Sequence, residues 1–153
     1  MTLSWIIAAL HLLALGIGLG AAFARGRAFL GQLDTAGIRR VIAADNGWAL
    51  AGALWLATGL VRLFAGTDKV TAYYFDNWLF LTKMAFFVAI VLHEIRPILT
   101  LIRWRRDLRA GVAPDTASAR RLARISFIQA AMVVVMIALA TGMARGHGMM
   151  VGG

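Results

Sequence analysis

Cysteine is absent from this chain of 153 residues, which removes disulfide frameworks, thiolate metal sites, iron-sulfur clusters, covalently attached haem and cysteine nucleophiles together. Acidic residues are scarce: seven Asp and Glu stand against 16 Lys and Arg, for a formal net charge of +9. Charged residues of both signs make up only 15% of the chain, against roughly 25% in an ordinary soluble domain. No Ser/His/acid set, paired-carboxylate site or HExxH motif is present, so hydrolytic chemistry is unattractive. What is abundant is apolar surface, with 61% hydrophobic residues and a mean hydropathy of +0.77. A soluble fold of this length cannot hide so much of it from water, and the composition is that of an integral membrane protein.

Crossing ~30 Å of hydrocarbon takes roughly 20 residues of helix. Suitable stretches lie at about 3–24, 47–64, 78–102 and 125–144, predicting an all-α, membrane-embedded four-helix bundle with residues 1–153 as one domain. Met1, Thr2 and Ser4 provide no basic segment ahead of the first span, so cleavage as a signal peptide is not expected. The first connection carries Arg25, Arg27, Arg39 and Arg40, and the third carries Arg103, Arg105, Arg106, Arg109, Arg120, Arg121 and Arg124. Basic residues beside spans are retained in the cytoplasm, which places both termini on the outer, periplasmic side. The positive charge then reads as a topology signal with attraction to anionic lipid, and not as a nucleic-acid surface. Trp5, Tyr73, Tyr74 and Trp78 are expected at the outer interface, and Trp48 and Trp104 at the inner one. Trp55 lies too deep for either belt. Small residues let membrane helices approach closely, so Gly16, Gly18 and Gly20 in the first span and Gly52 and Gly59 in the second are expected along packing seams, with a homo-oligomer as one outcome.

Ionisable groups inside a bilayer are functional candidates by default. Counting from the outer end at 1.5 Å per residue puts His11 roughly 12 Å deep, Lys83 roughly 7 Å and His93 roughly 22 Å. His11 and Lys83 share the outer half, whereas His11 and His93 are too far apart in depth to hold one haem iron between them. His11 is either a ligand to haem iron or another metal through a neutral imidazole nitrogen, or an interhelical hydrogen-bonding group. Lys83 either meets an anionic group such as a porphyrin propionate, or snorkels toward Asp76 or lipid phosphate. Pro97 cannot donate to the carbonyl of His93, so the run His93, Glu94, Arg96, Pro97 reads either as a kinked binding site or as a bend in which Glu94 is neutralised by Arg96 or by Arg39 and Arg40. Met132 and Met136, and the tail His147, Met149 and Met150, are donor types suited to copper; methionine in an apolar helix also serves as packing. Asp107, Pro114, Asp115, Thr116 and Ser118 suggest a short loop with a helix cap.

The strings Ala44-Asp45-Asn46-Gly47-Trp48, Tyr73-Tyr74-Phe75-Asp76-Asn77 leading into Leu81-Thr82-Lys83-Met84, and Glu94-Ile95-Arg96-Pro97 leading into Leu101-Ile102-Arg103-Trp104-Arg105 resemble a bacterial membrane family catalogued as a domain of unknown function. That resemblance covers nearly the whole chain and implies four spans in the bacterial inner membrane. A more distant similarity is to the HemJ-type protoporphyrinogen oxidases and the CopD-type copper-resistance proteins. It rests on His11 early in the first span, Arg25 after it, Lys83 early in the third and Arg124 before the fourth, and implies a b-type haem at the histidine and lysine positions. The fourth span opens Ile125-Ser126-Phe127-Ile128-Gln129, where HemJ-like sequences place an Asn-Glu-Pro cluster, a departure that bears on the oxidase reaction more than on the haem. Three functions follow as expectations. The first is a haem b protein for electron transfer or porphyrin oxidation, with His11 on the iron and Lys83, Arg25 and Arg124 toward the cofactor. The others are a copper-handling protein without catalysis and an assembly or lipid-organising protein.

Overall fold

The computed structural model describes residues 2–65 and 69–150. Met1 and residues 151–153, the ends assigned above to the outer side, lie outside the described residues. Helix α1 runs over Thr2–Leu30, α2 over Thr35–Phe64, the short α3 over Thr71–Phe75, α4 over Trp78–Arg109 and α5 over Ala119–Ala144. Four of these, α1, α2, α4 and α5, are long and apolar enough to cross a membrane, and together they form the expected all-α bundle. Around its circumference α1 packs along both α2 and α5, and α4 along α5. Helices α2 and α4 barely touch, and α3 lies across that loose seam at one end, against both.

The helices are longer than the apolar stretches that announced them. At 32 residues, α4 measures roughly 48 Å, well beyond ~30 Å of hydrocarbon. The first connection shrinks to 31–34, so that Arg25 and Arg27 belong to α1 and Arg39 and Arg40 to α2. Charge ends an apolar stretch, but it does not end a helix whose inner face is still covered. At this arginine-rich end Phe29, Ile38, Val41, Leu101, Trp104 and Leu122 form an apolar core from all four long helices. Local chemistry sets the turns. Asp34 accepts from the Gly37 amide at 2.7 Å to cap α2, and a Cβ at Gly37 would collide with the Gln32 carbonyl. Gly111 carries a φ of +70° just after α4, a left-handed position that suits glycine. The Asp115 carboxylate accepts from the Ala117 amide in the loop before α5.

A second apolar core lies further along the bundle, made of Ala14, Leu15, Trp55, Ile90, Val133 and Met136. Met132 packs against it, so both methionines of α5, the fourth span, serve as packing here. Between the two cores each long helix contributes polar side chains to one layer, Arg25 from α1, Asp45 from α2, Glu94 from α4 and Ser126 and Gln129 from α5, which stacks the bundle as apolar core, polar layer, apolar core. Several expectations need correction. Trp104 is not at an interface: it is buried, edge-on to Phe29, and donates to the Asp115 carbonyl at 2.9 Å. The glycine seam is made by Gly18 against Trp48 and Ala51, Gly47 against Ala21 and Gly59 against His11, while Gly16, Gly20 and Gly52 meet nothing. Two residues along a helix turn the face by about 200°, so Gly18 cannot share a seam with Gly16 and Gly20. Helix α4 runs through the buried Pro97 without interruption.

Candidate functional site

The polar layer centres on Arg25, which has no exposed surface. Its Nε donates to Ser126 Oγ at 3.1 Å. Nη1 donates to Asp45 Oδ1 and Glu94 Oε1, each at 2.7 Å. Nη2 donates to Glu94 Oε2 at 2.9 Å and Gln129 Oε1 at 2.7 Å. A guanidinium has five N–H donors in a rigid fork, and here each meets an oxygen. The acceptors are satisfied in turn. Glu94 Oε2 also accepts from Trp48 Nε1 at 3.1 Å and Gln129 Nε2 at 2.7 Å. Arg105 spans Asp45 Oδ2 at 3.1 Å and Asn46 Oδ1 at 2.8 Å. Arg25 and Arg105 balance Asp45 and Glu94 in formal charge. The layer joins α1, α2, α4 and α5 at one level, and Glu94 finds its partner in Arg25 rather than in Arg96, Arg39 or Arg40.

Toward the α3 end the second core opens into a cavity of about 600 Å³, within the 300–1,000 Å³ common for small-ligand sites. Its floor and walls are mostly apolar, with Leu15, Trp55, Phe80, Phe87 and Ile137 among them. The polar groups among its lining residues are His11, Lys83, Arg62, Lys69, Tyr73, Tyr74 and Thr141, and no Asp or Glu is among the described residues lining it. His11 from α1 crosses to α2, where Nδ1 meets Thr58 Oγ1 at 2.9 Å and the ring stacks on Trp55 with centroids 5.3 Å apart. Lys83 from α4 reaches the same indole, its Nζ 5.4 Å from the ring centroid. Lys83 is 9% exposed and pairs with no carboxylate among the described residues; the expected reach toward Asp76 is not made. The Trp55 Nε1–H is buried with no acceptor among those residues. Helix α3 packs at the end of this cavity. Thr71 Oγ1 donates to the Leu63 carbonyl at 2.9 Å, and the Tyr73 hydroxyl donates to the Met143 carbonyl at 3.2 Å.

Depth counting therefore found a real juxtaposition: His11 and Lys83 line one cavity, with Trp55 between them. Arg25 and Arg124 do not line it. Arg25 is engaged in the polar layer, and Arg124 is exposed near the start of α5. His93 is exposed, donating from Nδ1 to the Ala89 carbonyl at 2.8 Å. The C-terminal tail is held by Asn77, which is fully buried. Its Nδ2 donates to the His147 carbonyl at 2.9 Å and contacts Met149 Sδ at 3.8 Å. Its Oδ1 caps α4 by accepting from the Leu79 and Phe80 amides. No group of three His, Cys, Asp or Glu able to hold a metal ion occurs among the described residues. Thr58 and the wall position of Trp55 were missed in sequence. The available signal was a lone hydroxyl roughly 9 Å from the Phe64 end of its helix, the level at which His11 also lies.

No curated protein and no solved structure matches this chain. The family model described as "Predicted membrane protein (DUF2214)" matches residues 3–148, nearly the full set of described residues, and the chain, with its four apolar helices around a buried arginine, belongs to that family.

Proposed function

We propose that this is a multi-pass protein of the bacterial inner membrane that binds haem b, or a closely related porphyrin, in the cavity beneath α3, on the outer side of the bilayer. The observation that carries the reading is the convergence of His11 and Lys83 on one largely apolar cavity whose described lining contains no acid. A flat apolar macrocycle with carboxylate arms suits these walls: apolar side chains for the ring, and an ammonium without a carboxylate partner for an arm. A buried charge calls for a counter-charge, which a propionate supplies. Metal bound by protein side chains alone usually needs three or four donors, whereas a macrocycle brings its own and asks the protein for an axial ligand. One histidine is then enough. Bound haem supplies a one-electron redox couple that electron transfer or porphyrin oxidation uses. The residues of this chain orient it: His11 toward the iron, Lys83 toward a propionate, and Trp55 and Phe87 against the ring. The polar layer of Arg25 keeps the four helices in register below. Surrounding lipid completes the protein's apolar environment.

The test is the visible absorption spectrum of the detergent-purified protein, oxidised and dithionite-reduced, with and without added haem. A b-type spectrum that disappears in His11→Ala and weakens in Lys83→Ala is the expected result. A protein that remains colourless after haem supplementation overturns the reading and moves the weight to copper handling or to assembly.

A further inference from the structure

The contact between His11 and Thr58 fixes more than the position of the imidazole. Thr58 Oγ1 lies 2.7 Å from the Leu54 carbonyl oxygen and 3.1 Å from that of Trp55. Two oxygens at 2.7 Å need a proton between them, and a carbonyl has none to give. The hydroxyl proton of Thr58 is therefore directed into its own helix. A hydroxyl has one proton and two lone pairs, so toward His11 Nδ1, at 2.9 Å, Thr58 can only accept. Nδ1 must be the protonated nitrogen. In a neutral imidazole that leaves the lone pair on Nε2.

The packing then decides where that lone pair faces. A Cβ built at Gly59 would stand 3.2 Å from His11 Cε1 and 3.8 Å from Nδ1, so the Nδ1–Cε1 edge of the ring is pressed against α2. One face of the ring is covered by Trp55. Nε2 lies on the edge away from Thr58, in a residue that lines the cavity, while the hydrogen bond to Thr58 runs through Nδ1. Thr58 and Gly59 are consecutive on α2 and act together, one holding the ring by its proton and the other leaving room for it.

We infer that Thr58 is a positioning residue that fixes His11 as the Nδ1–H tautomer and presents the Nε2 lone pair to the cavity. The group that meets His11 there is consequently an electron-pair acceptor, a metal centre above all, while the anionic part of the same ligand is directed to Lys83. This deepens the haem reading and rests on it for the identity of the metal centre, but the tautomer is a property of the ligand-free protein and is measurable without haem. Hydrogen bonds to the non-ligating nitrogen hold metal-bound histidines in orientation, and their loss lowers metal affinity about 10–100-fold.

The test uses the full chain in detergent with nitrogen-15-labelled histidine. There are three histidines, and His11→Ala identifies the signal of His11. The expected result is a protonated Nδ1 and an unprotonated Nε2 in the ligand-free wild type. Thr58→Ser should keep that state, and Thr58→Val, which retains the shape without the hydroxyl, should release the ring into a mixture of tautomers. Haem titration of the same samples should show a 10–100-fold weaker affinity in Thr58→Val and near wild-type affinity in Thr58→Ser. An Nε2–H tautomer in the wild type overturns the inference without any variant, even where Thr58→Val fails to fold. So does an unchanged tautomer in Thr58→Val. A Thr58-dependent tautomer in a protein that takes up no haem upholds the positioning role and overturns the haem reading alone.

Discussion

Two buried polar regions lie along the same bundle axis, and they are built on opposite terms. Around Arg25 each donor of the cation meets an acceptor, charges balance, and α1, α2, α4 and α5 each contribute. Around Trp55, some three helical turns nearer α3, an ammonium lacks a carboxylate and an indole N–H lacks an acceptor among the described residues. The first region leaves only the buried Arg105 Nε–H without an acceptor among the described residues. The second is incomplete as protein, and it borders a cavity of about 600 Å³. Polar groups inside a membrane are costly, so the contrast distinguishes a largely matched polar layer from an unmatched cavity lining more sharply than residue type does. By type alone Arg25 is as good an anion-binding residue as Lys83.

The largest effect that would break this contrast is at Arg25. Arg25→Ala leaves Asp45 and Glu94 buried without their main counter-charge, and a loss of about 3–5 kcal/mol in stability is expected. Denaturant unfolding in detergent checks it, and a loss under about 1 kcal/mol would show that the layer does not pin the bundle. Lys83 should behave in the opposite sense. Removing a cation buried without a carboxylate, as in Lys83→Met, is expected to stabilise the ligand-free protein by on the order of 1 kcal/mol while weakening haem uptake. A Lys83→Met protein that unfolds more easily than wild type would place Lys83 with Arg25 among the structural groups. The smallest effect is at Asn77, which caps α4 and holds the tail. Asn77→Ala should lose about 1 kcal/mol and speed hydrogen exchange at the Trp78 and Met150 amides, which donate to the Gly148 and Asp76 carbonyls and join the tail to residues 76–78.

Much of this was legible in the order of residues, for a definite reason. A bilayer forces each span to satisfy its backbone internally as a helix, so apolar stretches alone announced the four long helices, though not the short α3. Depth is also a one-dimensional quantity, and counting along helices brought His11 and Lys83 to the same level. Azimuth is different. Arg25 meets Asp45 across 20 residues of sequence, Glu94 across 69 and Gln129 across 104, and which faces of four helices turn toward one another is not written in any one of them. For that reason the sequence does not show that Glu94 pairs with Arg25, that Trp104 turns into the core, or that Gly16 and Gly20 face no neighbouring helix of the bundle. Helix ends were read short because charge was taken as the limit, although Phe29, Ile38 and Leu122 continue the buried face beyond it.

Composition and hydrophobic length, by themselves, determined that this chain is a membrane bundle of four helices, since lipid permits few alternatives to that pattern. Tertiary structure decided which buried charges are matched and which are left over, because matching depends on how faces of separate helices meet in space. It turned one polar layer inward to hold the bundle, and it placed His11, Lys83 and Trp55 around one cavity.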